Sequence, residues 1–282
     1  MIKYPFLNKI LFPPVKINRS KLRKKIKGKT IVITGATYGI GEALTWLLAG
    51  RDVHLVLVAR TEEKLRQIKR VAVSKGATVD IFAIDLRMDD QRKRLIDALC
   101  LYSEGIDILI NNAGISIKRS LMESQNRFHD VTRTTALNYF ASVDLCLGLL
   151  TPLQHSSGHI INISALNVLL PPAPHWAAYQ ASKCASDQWF RASAPEMRMY
   201  GIDTSMIYLP LVRTRMISAT EMYRDVPAMA PQRAADLIAQ AIINRKRTYK
   251  PWWFKWVKAV SVLLLPLWER QANRLFLKKT HE

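Results

Sequence analysis

"TIVITGATYGIG", Thr30–Gly41, is the stretch whose reading decides the fold. Its first five residues are all β-branched, which favours extended backbone and a buried strand. Gly35, Gly39 and Gly41 then punctuate a turn, and the residues that follow to Gly50 read as a helix. A strand, a glycine-rich turn and a helix in succession let backbone approach a pyrophosphate at the helix N-terminus, where unpaired N–H groups and the helix dipole favour anions. Gly35, Thr37, Tyr38, Gly39, Ile40 and Gly41 are therefore candidate residues for the phosphate end of a dinucleotide site.

The same alternation continues along the chain. "VHLVLVA", "TVDIFAID", "IDILINNAG", "GHIINIS" and "DTSMIYLP" read as further strands. Helical stretches follow from Thr61 to Lys75, then to about Ser103, to about Leu150, through Tyr179, and from Pro231 to about Arg245. Buried strands alternating with helices predict an α/β fold, a single doubly wound parallel-sheet Rossmann domain. We expect this domain over residues 28–247, with a basic amphipathic arm at 1–27 and a basic, Trp-rich helical extension at 248–282.

Charge follows the same division. The net charge is +20, yet residues 1–27 carry nine Lys/Arg and no acid, and residues 245–282 carry ten against Glu269 and Glu282. The middle of the chain is nearly balanced, so the ends are built to meet an anionic surface. With 49% hydrophobic residues the chain can bury a sizeable core, and disorder is excluded as a description of the whole. Cys100, Cys146 and Cys184 are far apart and form no CxxC, which points to no metal site and a reducing compartment. The opening "MIKYPFLNKILFPPVKI" has too short and broken an apolar run to read as a signal peptide.

At the end of the second strand, NAD sites place an acid for the ribose hydroxyls. Here Ala59 is followed by Arg60. A guanidinium pairs with a 2′-phosphate that an acid would repel, so the expected cofactor is NADP(H). Asp85, with Leu86 after it, closes the third strand, where its carboxylate either accepts from an adenine amino group or caps the next helix.

"HWAAYQASKCASDQW", His175–Trp189, sets Tyr179 and Lys183 one helical turn apart on one face. Together with Thr34–Gly41, the "NNAG" of Asn111–Gly114 and Asn138 in "ALNYF", this YxxxK resembles the short-chain dehydrogenase/reductase superfamily over roughly residues 28–245. A narrower resemblance, to bacterial long-chain fatty acyl-CoA reductases, lies in "GISIKRSLMESQNRFHD", "LNYFASV", "YLPLVRTRMISATEMY" and "APQRAADLIAQAI". The resemblance implies an NADPH-dependent reductase of a fatty acyl-CoA or fatty aldehyde, acting on a long-chain, lipid-like substrate. It implies Tyr179 as proton donor and Lys183 as the group that lowers the phenol's pKa and holds the nicotinamide ribose. It implies Asn138 as anchor of a water linked to Lys183. Asn112, Ala113 and Gly114 would line the cofactor, and Pro210, Val212 and Thr214 would cover the nicotinamide carboxamide. Relatives in the superfamily are often homodimers or homotetramers. Another lipidic carbonyl (3-oxoacyl, steroid or retinoid-like), or a cofactor-binding scaffold with an impaired site, stands as the alternative.

Two departures qualify this. Leu211 stands where many relatives have Gly, although the acyl-CoA reductases resemble this sequence there. Relatives also read "NISS", whose second Ser, thirteen residues before the Tyr, bonds the substrate carbonyl. This chain has Ser164 and then Ala165, and counting thirteen back from Tyr179 lands on Leu166. Either Ser164 stands in as the fourth catalytic residue through a loop one residue longer, or Tyr179 works with less help, or the site is impaired.

The C-terminal stretch from Pro251 has a longest uncharged run of ten residues, Ala259–Trp268, where a crossing needs about twenty. Trp252, Trp253, Trp256 and Trp268 with Lys255 and Lys258 instead suit a membrane interface, and Tyr4, Phe6, Leu7, Ile10 and Phe12 of the N-terminal arm add to it. We expect a cytoplasmic protein held peripherally on the inner, anionic face of a membrane. Nucleic acid fits the charge but not the aliphatic run.

Overall fold

The computed structural model describes residues 5–264 apart from 219–222 and 224. Tyr4 and Trp268 lie outside the described residues. Helices α1 (Pro5–Leu11) and α2 (Arg19–Ile26) precede the sheet domain. Then β1 (Lys29–Thr34), α3 (Gly39–Leu48), β2 (Val53–Ala59), α4 (Glu62–Ser74), β3 (Thr78–Ala83), α5 (Asp89–Cys100) and β4 (Ile108–Asn111) follow in strict alternation. Helices α6 (Phe128–Thr135), α7 (Ala141–Gly148) and α8 (Leu150–His155) lead to β5 (His159–Ala165). After it come α9 (Ala177–Met199), β6 (Asp203–Leu209), α10 (Arg215–Ser218), α11 (Pro231–Asn244), β7 (Thr248–Tyr249) and α12 (Phe254–Leu263).

The seven strands form one sheet in the order β3-β2-β1-β4-β5-β6-β7, and every pairing is parallel. This is the doubly wound Rossmann sheet expected from the alternating pattern. β7 adds one strand to the six read from the sequence, pairing Met206 with Thr248 and Ile207 with Tyr249. Two residues carry no periodicity, so nothing in the sequence marks it.

Both sheet faces are buried because side chains alternate along each strand. Ile31, Ile33, Leu55 and Leu57 face one core with Leu44 and Leu48 of α3 and Ile238 and Ile242 of α11. Val32, Val56, Leu109 and Ile160 face the other with Leu95, Leu145 and Phe190. β1 and β4 are neighbours although β2 and β3 intervene in sequence, so the order of strands across the sheet reverses between them. Ligands of such sheets bind at this crevice, outside the carboxyl ends of the strands.

The helix expected to run to about Leu150 is broken into three. Between α6 and α7 the backbone makes a π turn over Ala136–Phe140, with the Ala141 N–H bonded to the Ala136 carbonyl. Asn138 sits in that turn.

The terminal segments pack on the body. Phe12, Leu22 and Ile26 join the core beside α11. The Arg23 guanidinium donates to the carbonyls of Leu48 and Ala49, which satisfies acceptors left over at the end of α3. The indoles of Trp252 and Trp253 donate to the carbonyls of Ile10 and Leu11 at 3.2 and 2.9 Å, so the segment after β7 lies beside the end of α1. Phe254 is buried in the opposite core, under Lys250, whose ammonium lies over the Tyr208 and Phe254 rings.

Candidate active site

The site is built from two turns that face each other across the β1–β4 crevice. The Thr34 hydroxyl donates to the Ile110 carbonyl and accepts from the N–H groups of Asn112 and Ala113 at 2.9 and 3.0 Å. The Asn112 amide donates back to the carbonyls of Thr34 and Gly35. These bonds hold "TGATYGIG" against "NNAG". Gly35 and Gly39 have φ of 67° and 59°, a region in which side chains other than glycine's are strained. At Gly39 an added Cβ would also stand 2.8 Å from Cγ2 of Thr214, which closes over the turn.

Tyr38 precedes α3 without capping it through a side chain. The first N–H groups of α3 therefore stay open to an anion in front of the turn. That is the geometry a dinucleotide pyrophosphate needs. A cavity of about 670 Å³ opens there. It is lined by Gly35, Thr37, Tyr38, Gly39, Ile40, Arg60, Asp85, Leu86, Asn112, Ala113, Gly114, Pro210, Val212 and Thr214, together with Ser164, Tyr179 and Lys183. One proposed cofactor residue, Gly41, does not line it. A Cβ at Gly41 would stand 2.2 Å from the Gly35 carbonyl oxygen and 2.9 Å from the Asn112 amide nitrogen. The lack of a side chain at Gly41 lets helix and turn touch.

Arg60 is exposed at the rim and makes no ion pair among the described residues, which leaves its guanidinium for a phosphate. Asp85 does not cap a helix, because α5 begins four residues later with Met88 before it. Its carboxylate is instead gripped by Arg87, with both oxygens 3.0 Å from Nε, and Arg87 is the main reason its carboxyl titrates below the usual range.

Tyr179 and Lys183 lie on α9, one turn apart. The Lys183 ammonium donates to the Ile163 carbonyl at 3.0 Å. Burial pushes its pKa down to about 8. Burial, reinforced by the facing Tyr223, pushes the Tyr179 phenol up to about 12. This burial opposes the lowering expected from Lys183 and an oxidised nicotinamide, because taking a phenol out of water penalises its anion.

Asn138 does not line the large cavity. Its amide accepts from the Ile115 N–H at 2.8 Å and donates to the Ile115 carbonyl and the Ser182 hydroxyl, both at 2.9 Å. A separate small pocket of about 20 Å³ lies against Asn138, Lys183, Asn111 and Ser186, roomy enough for one water. The "NNAG" turn passes close to both groups, since a Cβ at Gly114 would stand 3.2 Å from Oδ1 of Asn138 and 3.6 Å from Nζ of Lys183.

Ser164 lines the cavity, but its hydroxyl donates to Asp187 at 3.5 Å. Asp187 was not singled out from the sequence. It is buried, pairs with Arg191 and also engages the Tyr208 hydroxyl. The spacing Tyr179–Lys183–Asp187 was its signal, since residues four apart share a helix face. Trp176 and Tyr223, with ring centroids 5.8 Å apart, were also missed, and both line the cavity.

Comparison with known proteins agrees with this geometry. The family model described as short chain dehydrogenase matches residues 29–224. The chain is 42% identical over 226 residues to a fatty acyl-CoA reductase of Acinetobacter baylyi, covering 80% of this chain and 76% of that protein. It is 37% identical over 243 residues to a fatty acyl-CoA reductase of Mycobacterium tuberculosis, covering 83% and 80%. A solved short-chain dehydrogenase from Sphingobium yanoikuyae in complex with NADPH superposes with a TM-score of 0.71 at 25% identity, covering 78% of this chain and 86% of that one.

Proposed function

Because the chain belongs to the short-chain dehydrogenase family, we propose that it is an NADPH-dependent reductase of long-chain fatty acyl-CoA, releasing fatty aldehyde and coenzyme A. The observation that carries the reading is that Tyr179 and Lys183 line the same cavity as the glycine-rich turn and Arg60. The similarity to two fatty acyl-CoA reductases supports the substrate. So do Leu166, Leu170, Leu211, Ile217 and Val226, which give the cavity apolar walls suited to an acyl chain.

The turn at Gly35–Gly39 would hold the pyrophosphate of NADPH and Arg60 its 2′-phosphate. When bound, the cofactor supplies a hydride to the thioester carbonyl carbon. The chain's own residues manage the proton. At neutral pH the Tyr179 phenol is protonated and donates to the carbonyl oxygen as negative charge develops there. The Lys183 ammonium, tethered to the Ile163 carbonyl, is the nearby positive charge that eases the phenol's loss of its proton. The Asn138 pocket can hold the water through which protons return to Lys183. The resulting hemithioacetal breaks its C–S bond to give aldehyde and the coenzyme A thiol. Overall, one thioester, one NADPH and one proton give one aldehyde, one thiol and NADP⁺.

Incubating the protein with NADPH and palmitoyl-CoA tests this. The expected result is one free thiol and one aldehyde-level product for each NADPH oxidised. Oxidation of NADPH by fatty aldehydes or ketones, with none by the thioester, would replace the substrate assignment.

We also read α1 and the stretch around α12 as a seat on an anionic membrane surface. Phe6, Leu7 and Ile10 on α1 and Trp252, Trp256, Val260, Val262 and Leu263 on or beside α12 are exposed. Lys9, Lys255 and Lys258 lie among them. The indole bonds to Ile10 and Leu11 join the two segments. Among the described residues no helix is long and apolar enough to cross a membrane. Such a surface suits attachment within the headgroup zone. Flotation with vesicles containing phosphatidylglycerol should carry the protein upward at low salt, and Trp252→Ala with Trp256→Ala should return most of it to the soluble fraction. Wild-type protein left wholly in solution would end the membrane reading.

A further inference from the structure

The segment that continues from "NNAG" carries a cationic cluster that the reaction above does not use. Ser116 lines the cavity. Two residues on, the Lys118 ammonium lies 5.6 Å from the centre of the Trp176 ring, which also lines the cavity. The Arg119 N–H donates to the His175 carbonyl at 2.8 Å, so this segment is fastened to the cavity's rim.

Behind the rim lies Asp130 of α6, its side chain 6% exposed. Arg119 and Arg127 each donate Nε to one of its oxygens, at 2.7 and 3.3 Å. Arg133 and His129 approach the other oxygen. Burial resists ionisation of Asp130, but bonds from Arg119 and Arg127 and the charge of Arg133 outweigh it, so the carboxyl titrates below its ordinary value. One buried carboxylate thus organises three guanidiniums, whose side chains remain 27, 41 and 36% exposed. Each guanidinium has five donors in a rigid fork. Arg119 and Arg127 each make one hydrogen bond to Asp130, which leaves further N–H groups toward solvent. The one other acid within residues 118–133, Glu123, accepts from the N–H and hydroxyl of Ser120 and forms no ion pair with Arg127 or Arg133 among the described residues. Residues 118–133 carry four Lys/Arg against Glu123 and Asp130, and the segment begins at the cavity's rim through Lys118 and Arg119.

We propose that Lys118, Arg127 and Arg133, organised about Asp130, form the seat for the phosphorylated nucleotide of a coenzyme A thioester. A coenzyme A thioester is an apolar chain and a reacting carbonyl at one end and a diphosphate with a 3′-phosphate at the other. The apolar cavity fits the first end, and Lys118 at its rim with the guanidiniums behind it, each able to grip a phosphate with two N–H groups, fits the second. This rests on the acyl-CoA reading of the site.

The test is calorimetric binding of free coenzyme A to the full-length protein saturated with NADP⁺, which keeps the dinucleotide site filled. Coenzyme A should bind, dephospho-coenzyme A more weakly, and the double variant Arg127→Gln, Arg133→Gln should weaken coenzyme A at least tenfold. Lys118→Glu, at an exposed residue that leaves the Asp130 cluster intact, should weaken it too and covers the case in which the double variant fails to fold. In turnover, wild type should show a lower KM for palmitoyl-CoA than for S-palmitoyl pantetheine, which lacks the nucleotide. In the variants that ratio should fall toward one, a change that a merely structural role for the arginines would not produce. Equal affinity of wild type and variants for coenzyme A, or none in wild type, overturns the proposal. Absence of thioester reduction while coenzyme A still binds at these residues would instead overturn the reductase reading alone.

Discussion

Tyr179→Phe lowers kcat for thioester reduction by about 10²–10⁴-fold, the range for losing a positioned proton donor, while NADPH affinity and melting temperature change little. The change removes one oxygen and no packing volume, and that hydroxyl makes no hydrogen bond with any described residue, so its loss orphans nothing. The cofactor's phosphate end is held by a different part of the fold, around Gly35, Gly39 and Arg60. Steady-state kinetics beside a fluorescence titration with NADPH checks both halves. Unchanged kcat would remove Tyr179 from the chemistry and the acid–base mechanism with it.

The pH profile separates the two members of the pair. Tyr179 stays protonated until about 12, so it contributes no limb in the usual working range. Lys183 loses its proton near 8. The kcat/KM for reduction should therefore be level below that value and fall as pH rises through it. The same shift acts on folding with the opposite sign. The unfolded lysine keeps its ordinary 10.5, so between about 8 and 10.5 the unfolded state binds more protons and stability rises with pH. An alkaline limb in activity that coincides with gain, not loss, of melting temperature marks titration of Lys183 and rules out unfolding as its cause.

The parts of this protein legible in its sequence are those encoded by local pattern. β1, β2 and β4 hold near-continuous apolar runs, β5 and β6 keep Ile160–Ile161 and Met206–Leu209, and the glycine-rich turn and YxxxK each lie within a few residues. What escaped depends on contacts made across the fold. β7 is two residues long and exists because β6 offers it an edge. The π turn at Asn138 continues helical sequence on both sides, so only the Ala141 to Ala136 bond reveals it. The direction of the Tyr179 shift depends on burial, which the five residues of YxxxK cannot state. Ser164 could be counted against Tyr179, but its contact with Asp187 requires β5 to lie against α9. Gly41 could be read as a glycine of the turn, but its close approach to the Gly35 carbonyl shows only once α3 is packed against that turn.

Gly41→Ala should be the most damaging single-methyl change in the molecule. The new Cβ would meet the Gly35 carbonyl oxygen at 2.2 Å, a backbone atom with no side-chain freedom to yield. Gly35 is itself held at φ 67° between Thr34 and the Asn112 amide, so relief must come from moving α3 or opening the turn. Overpacking of this kind costs about 1–3 kcal/mol where side chains can adjust, and more where backbone must. A loss of about 3 kcal/mol corresponds to a fall in melting temperature of roughly 6–12 °C for a chain of this size. Affinity for NADPH should fall at least tenfold in the surviving folded fraction, because the displaced turn is the proposed pyrophosphate cradle. Gly28→Ala is the control. Its φ of 68° disfavours alanine, but nothing lies within 4 Å of the added Cβ. Its cost should be backbone strain of about 1–2 kcal/mol, with no effect on the cofactor. If both variants lose the same stability and both keep wild-type NADPH affinity, close approach of helix and turn is not what Gly41 provides.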